Sequence, residues 1–299
     1  MAARWLDLVD PTREEVLAAL PVQVDPDVVE MLAAPAAVGR APRPLFEGHG
    51  SYVFGVLVAM LPLPEEHDVS YQEVCIVATP ERLLTVRKTP PRGPAYDPSA
   101  LEVATADTVV GLLIHRLADD VADTYLDLLD AIYAEIDELE DHIDEMLAGA
   151  VRLRLSELRH ELLHRRRTVS ATRGALRKVL DGRIEVGDHA LFPSDVERLF
   201  GDTYDTLVRV TEELDIARDL LSSVRDHLQS KIAENQNEVG KKLTVIASLV
   251  LVPSLVVGFY GQNFTDEFDN RFWTLGFSTG LIMASTAIQL ALFRWRRWI

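Results

Sequence analysis

Cysteine is almost absent from these 299 residues: Cys75 is the only one. No intrachain disulfide can form, which fits a reducing compartment. Positive charge is also in short supply, with 30 Lys and Arg against 47 Asp and Glu and a formal charge of −17. A nucleic-acid partner would need a net basic face, so none is expected. Arg4, Asp7 and Asp10 interrupt any apolar run at the N-terminus and leave no signal-peptide pattern. The sequence also lacks a glycine-rich phosphate loop, a Cys-x-x-Cys pair and a Ser/His/Asp arrangement. Neither a nucleotide-driven pump nor an enzyme is therefore expected.

Two long runs lack charge altogether. Residues 243–260 open the stretch LTVIASLVLVPSLVVGFYGQNF without a single ionisable acid or base. As a helix rising about 1.5 Å per residue, such a run reaches roughly 27 Å, close to the ~30 Å hydrocarbon core of a bilayer. A second apolar run covers residues 272–293. The pair predicts a membrane hairpin over residues 243–299. The alternative is a buried helical hairpin in a soluble protein, where runs this long and uncharged are rare. Lys241 and Lys242 precede the first span, and Arg294, Arg296 and Arg297 follow the second. The connecting loop, residues 261–271, holds Asp266, Glu267 and Asp269 with Arg271. The positive-inside bias then places both termini in the cytoplasm and the loop outside a cell membrane. Trp273, Trp295 and Trp298 fall near the span ends, where interfacial aromatics belong.

Residues 1–105 read as a small α/β domain. Residues 5–11 suggest a strand leading into a helix, with Pro11 in its first turn and Glu14 and Glu15 near its positive end. Pro35, Pro42 and Pro44 break the next region into loops. Residues 51–61, 73–79 and 82–88 read as strands, with a turn at Pro80-Glu81 and a loop over 90–98. No catalytic constellation is present; scaffolding and subunit contact are the expected roles.

Residues 106–181 read as a helical hairpin. Val121, Tyr125, Leu128, Ile132, Ile136, Leu139, Ile143 and Met146 recur at helical spacing, and the opposite face carries acids from Asp119 to Glu145. After a turn at Ala148-Gly149-Ala150, a second helix repeats the pattern with Leu155, Leu158, Leu162, Val169, Leu176 and Val179. Its polar face is basic, from Arg152 to Lys178. Either opposite charges help to hold the hairpin or both faces are simply solvated, since surface pairs contribute little. His160 and His164 lie four apart, a metal-compatible spacing. The arginines around them disfavour a dication, so a solvated face is the alternative.

Residues 182–242 form the expected stalk. Ser194 and Glu197 make a capping box, and a helical pattern then continues to residue 260, interrupted only by Gly201, Gly240, Pro253 and Gly258. One stripe is apolar at heptad spacing: Leu207, Val210, Leu214, Ala217, Leu221, Val224 and Leu228. Another stripe is small or polar. It runs through Asp219, Ser223, Asp226, Ser230, Ala233, Asn237, Gly240, Thr244, Ala247, Leu251, Ser254, Gly258 and Gly261, with Leu251 the one large apolar member. Such a face in a span packs closely on another helix or lines water. One hairpin cannot enclose a pore, so a pore-lining stripe requires several copies around an axis.

The sequence Tyr260-Gly261-Gln262-Asn263-Phe264 at the end of a first span, with a second span and a basic-aromatic end, resembles the CorA/ZntB family of divalent-cation transporters. Trp5-Leu6-Asp7-Leu8 with Pro11-Thr12 and Glu15 is similar to the family's opening, and Leu84-Thr85-Val86-Arg87 to the end of its β region. SKIAENQNEVGKKLT, residues 230–244, is similar to the segment entering its pore helix. The resemblance covers essentially the whole chain. It implies an α+β cytoplasmic domain, long helices, a two-span hairpin and a homopentamer. It also implies that Gly261, Gln262 and Asn263 form the selectivity mouth and that Asn237 faces the pore near its cytoplasmic end. Asp226 and Asp202 then match stalk positions that sense cytoplasmic divalent ions. Two residues depart from the family: Gln262 stands where the signature has Met, and Gly240 where another Met is usual.

The expected function is channel-like uptake of Mg2+, with Co2+ or Ni2+ as further cargo, through a pentamer gated by cytoplasmic divalent ions. The pore lining would comprise Asn237, Gly240, Thr244, Ala247, Leu251, Ser254 and Gly258. Asp266, Glu267 and Asp269 would concentrate cations outside. A ZntB-like Zn2+ transporter, with or without proton coupling, and a non-conducting membrane-anchored protein are the alternatives. The implied partners are the membrane, further copies of the chain and divalent cations.

Overall fold

The computed structural model describes residues 4–36, 43–63, 68–93, 95–101, 108–143, 147–184, 186, 191–263 and 271–298. Two compact units divide the chain, Met1–Val224 and Arg225–Ile299.

The first unit is built on a five-stranded sheet in the order β1-β5-β4-β3-β2. Its strands are β1 (Trp5–Val9), β2 (Leu45–Gly48), β3 (Val53–Leu63), β4 (Asp68–Ala78) and β5 (Leu83–Arg87). β2 to β5 form an antiparallel meander, whereas β1 pairs parallel with β5. The register sets Asp7 beside Thr85. Thr85 Oγ1 donates to Asp7 Oδ1 at 2.6 Å, Arg87 Nη2 donates to Asp7 Oδ2 at 2.6 Å, and Trp5 Nε1 donates to Thr85 Oγ1 at 2.9 Å. The two family-like segments of this domain, WLDL and LTVR, are thus hydrogen-bonded partners across one strand pair. Pro62 is tolerated in β3 because β2 pairs only with residues 53–56, leaving that edge without a strand neighbour at residue 62 among the described residues.

α1 (Arg13–Ala19) and α2 (Pro26–Ala33) cover one face of the sheet, burying Val16, Val28, Val29 and Leu32 against Phe54, Val56, Cys75 and Val86. Thr12 caps α1: its backbone N–H donates to Glu15 Oε2 at 2.8 Å while its hydroxyl accepts from the Glu15 N–H at 3.3 Å. Pro11 therefore precedes the cap rather than opening the helix. α2 and β2 are missing from the sequence-based expectation, which reads this proline-rich stretch as loops. Asp25-Pro26 is the helix-start signal that identifies α2, with proline at a position whose N–H has no intrahelical acceptor.

α3 (Val110–Asp141) and α4 (Ala148–Leu180) pack on the other face. The Tyr125 hydroxyl donates to the Val58 carbonyl at 2.6 Å and lies 3.0 Å from Thr172 Oγ1, tying sheet, α3 and α4 together. The apolar stripes from Val121 to Ile143 and from Leu155 to Val179 are buried; Met146 lies outside the described residues. Residues 148–150 open α4 instead of forming a turn. Charge is not the main bond between the helices. Glu135 pairs with Arg154, but Arg165 turns to Glu161 of its own helix and Arg166 reaches Asp215 beyond it.

α5 (Ser194–Asn263) is one helix of 70 residues. The Pro193 carbonyl accepts from Val196 and Glu197 at 2.8 and 2.9 Å, so Ser194 is already helical and the cap lies one residue earlier than expected. The heptad stripe Leu207, Val210, Leu214, Ala217, Leu221, Val224 and Leu228 is buried throughout. α6 (Arg271–Trp295) completes the chain's second unit.

Close packing at the start of α3 gives a sharp test. A Cβ on Gly111 would lie 2.2 Å from the Leu191 carbonyl oxygen, a backbone atom that cannot rotate away. Gly111→Ala should lower stability by about 1–3 kcal/mol. Gly174 of α4 has open space around it, and Gly174→Ala should raise stability by roughly 0.5–1 kcal/mol. Thermal unfolding of the detergent-solubilised proteins compares them; a Gly111→Ala midpoint equal to the parent's contradicts the packing.

Candidate functional site

The small and polar stripe of α5 is exposed at every described side chain. Asp219, Ser223, Asp226, Ser230, Ala233, Asn237, Gly240, Thr244, Ala247, Leu251, Ser254 and Gly258 all face away from this chain's own core. Leu251 is 66% exposed, the one large apolar member of the row. The two hydroxyls in its apolar part are satisfied within the helix: Thr244 Oγ1 donates to the Gly240 carbonyl at 2.9 Å and Ser254 Oγ to the Val250 carbonyl at 2.7 Å. With the proton so used, each oxygen presents lone pairs outward, as an acceptor for a donor such as coordinated water. Pro253 lies inside the helix and has no N–H, so the carbonyl of Leu249 receives no helical bond.

Gly261, Gln262 and Asn263 form the last helical turn of α5, not the start of a loop, and α6 resumes at Arg271. Asp266, Glu267 and Asp269 lie outside the described residues. The two apolar helices are long enough to cross a membrane, and almost none of the residues in their most apolar stretches is buried by the chain itself.

The acidic stalk positions lie apart. Asp202 is exposed on α5 one residue from Thr203. Asp226 is 65% exposed and lies 3.2 Å from Arg225 Nη2. Among the described residues no group of three His, Cys, Asp or Glu side chains converges as a metal centre. That applies to His160 and His164: His160 Nδ1 lies 2.7 Å from the Ser156 carbonyl, and His164 meets the edge of Tyr71 with ring centroids 4.3 Å apart.

One polar network was not legible in the sequence. Thr203 Oγ1 donates to Asp119 Oδ1 at 2.8 Å and lies 3.1 Å from His115 Nε2, joining α3 to α5 beside Asp202. Burial pushes His115 below its ordinary pKa, against the upward pull of Asp119, the Leu199 backbone and Asp202. Partial burial and the carboxylates of Asp119, Asp120 and Asp127 hold Asp123 above the usual range. The sequence signal was a histidine on the apolar side of an otherwise acidic helix.

A family model described as "CorA-like Mg2+ transporter protein" matches residues 2–295. The chain belongs to this family. The cobalt/magnesium transport protein CorA of Thermotoga maritima is 26% identical over 264 residues, covering 86% of this chain and 73% of that protein. Among solved structures, the complete CorA magnesium transporter from Methanocaldococcus jannaschii superposes with a TM-score of 0.77 at 19% identity, covering 99% of this chain and 91% of its own. The ZntB cytoplasmic domain from Vibrio parahaemolyticus superposes with a TM-score of 0.56 at 14% identity, covering 77% and 88%. At these identities the structural likenesses establish the CorA fold: an α+β domain, long helices and a two-helix apolar end. CorA-family chains are membrane proteins, and the two uncovered apolar helices fit that setting.

Proposed function

We propose that this chain forms a homopentamer that conducts divalent cations, Mg2+ foremost and Co2+ also, down their electrochemical gradient. The observation that carries the reading is the small and polar stripe of α5, exposed at every described position and continuing at three- and four-residue spacing from the charged part of the helix into its apolar part. Several copies around an axis would turn it inward. Mg2+ sheds its water reluctantly, so a pathway suited to it holds the hydrated ion. Back-bonded hydroxyls at Thr244 and Ser254 and amides at Asn237 and Asn263 offer neutral oxygens for those waters, and weak sites let the ion leave. Five copies of Leu251 would form an apolar constriction that stops ions when dry. A negative interior contributes about 2.3 kcal/mol per charge per 100 mV, twice that for a dication, so entry needs no further energy source.

A ZntB-like Zn2+ transporter is the second reading, favoured by Gln262 and Gly240 standing where methionines are usual. Proteoliposomes loaded with ion indicators separate the two. Mg2+ and Co2+ influx that follows membrane potential and ignores a pH gradient supports the channel. Zn2+ influx that requires a pH gradient supports the alternative, and silence with every ion means a non-conducting protein.

Both termini are placed in the cytoplasm in this reading. A cysteine replacing Thr265 should react with an impermeant thiol reagent on intact cells, and one replacing Leu147, 82% exposed in the first unit, should not. The reverse pattern overturns the orientation. Cys75 itself is no reporter: it is 2% exposed, and burial pushes its thiol up to about 12.

A further inference from the structure

The basic end of α6 is finished by a built turn. The Arg296 N–H donates to the Leu292 carbonyl at 2.9 Å, the Arg297 N–H to the Arg294 carbonyl at 3.1 Å, and the Trp298 N–H to the Phe293 carbonyl at 2.9 Å. The last of these, reaching back five residues, closes a Schellman-type cap. The residue that takes the left-handed conformation in it is Arg297, at φ 53°. Glycine is the residue that adopts this conformation without penalty, and an arginine there is uncommon. The turn folds Trp298 back so that its ring stacks on Phe293, with centroids 5.8 Å apart and planes 13° from parallel. Phe293 is covered to 9% exposure, whereas Arg294, Arg296 and Arg297 all stay exposed. Among the described residues none of these three arginines has a carboxylate partner, in a chain that carries 47 acids. Lys241 and Lys242 precede the apolar run of α5, and because α5 and α6 are successive spans of a hairpin, these lysines belong to the same membrane face; Lys242 has Glu238 at 3.8 Å, an exposed pair that a phosphate can replace.

We infer that Arg294, Arg296 and Arg297, with Lys241 and Lys242, form a seat for the headgroup of an anionic phospholipid, with Trp298 as its interfacial wall. A general excess of basic residues at this face would satisfy topology without any fixed turn. A cap that places arginine in a conformation suited to glycine, and stacks Trp298 on Phe293 beside it, fixes the backbone from which the three exposed guanidiniums project. Guanidinium groups bind phosphate oxygens with paired N–H donors, which suits a phosphodiester. The occupant is a membrane lipid rather than a soluble phosphate, because the aromatic pair Phe293–Trp298 supplies the apolar side that acyl chains need. The inference rests on the hairpin reading and not on transport, since binding is read directly.

The test uses the full chain in nanodiscs of phosphatidylcholine with or without phosphatidylglycerol, followed by native mass spectrometry of retained lipid. Phosphatidylglycerol should be retained over phosphatidylcholine, and each removed charge should weaken retention by about fivefold. The triple variant Arg294→Gln/Arg296→Gln/Arg297→Gln should show no preference. Arg297→Gly is the separating variant: it relieves the backbone and keeps the turn, so thermal stability in phosphatidylcholine should hold or rise while phosphatidylglycerol retention falls. Arg297→Lys keeps the charge without the paired donors and should retain less phosphatidylglycerol than the parent but more than Arg297→Gly. Inorganic phosphate should not compete. Equal retention of the two lipids by the parent chain overturns the proposal. So does Arg297→Gly that retains phosphatidylglycerol as well as the parent, or full competition by inorganic phosphate.

Discussion

Asn263→Ala is expected to reduce divalent-cation uptake at least tenfold while the protein still assembles. Asn263 is the last residue of α5, two residues beyond Gly261, where the small and polar stripe ends. In the proposed pentamer five amide oxygens would meet there and would be the first protein oxygens to accept from the water shell of an entering ion. Alanine removes that acceptor and adds nothing in its place. A loss of about 1.5 kcal/mol of ion stabilisation is already tenfold in rate, and hydrogen bonds to charged species contribute roughly 1.5–3 kcal/mol. Size-exclusion and native mass spectrometry control for assembly. Near-parental influx by an assembled Asn263→Ala protein would remove the mouth from the mechanism. Gln262→Met, which restores the usual family residue, should change the ratio of Mg2+ to Co2+ influx and leave stability unchanged; an identical ion profile means that the departure is neutral.

The second large effect concerns feedback. Asp202 and Asp226 are exposed, and neither belongs to a metal centre within the described residues of one chain. A divalent ion held at either position would need carboxylates from a second copy, and repulsion between those copies would then favour an open state until the ion binds. High internal Mg2+ should inhibit influx of the parent protein, and Asp202→Asn with Asp226→Asn should shift half-inhibition to at least fivefold higher Mg2+. Asp226 already has Arg225 at 3.2 Å, which offsets part of its charge, so Asp202→Asn should carry the larger share. Unaltered inhibition in the double variant would exclude both positions as sensors. Asp202 also lies next to the buried Thr203 link between α3 and α5, so an ion bound there would act on the packing of the stalk helix directly.

The sequence by itself determined the elements whose physics is local and periodic. The heptad stripe of α5 and the apolar stripes of α3 and α4 were each identified from spacing, and each is buried. The uncharged runs identified two spans because burying charge in hydrocarbon is costly whatever the surrounding fold. The WLDL and LTVR segments stood out as family-like, yet only the parallel pairing of β1 with β5 shows why they occur together: Asp7 joins Thr85 and Arg87 across 78 and 80 residues of chain. Tertiary structure alone decided three further matters. It placed α2 and β2 in a stretch whose prolines suggested loops, because Pro26 sits where a helix has no use for an N–H and β2 is held by pairing with β3. It turned most of the opposed acidic and basic faces toward solvent or their own helices, since exposed ion pairs are worth little against an apolar seam. And it joined His115, Asp119 and Thr203, residues up to 88 positions apart that share no sequence motif, because a buried polar group must find its partner wherever the packing of α3 on α5 supplies one.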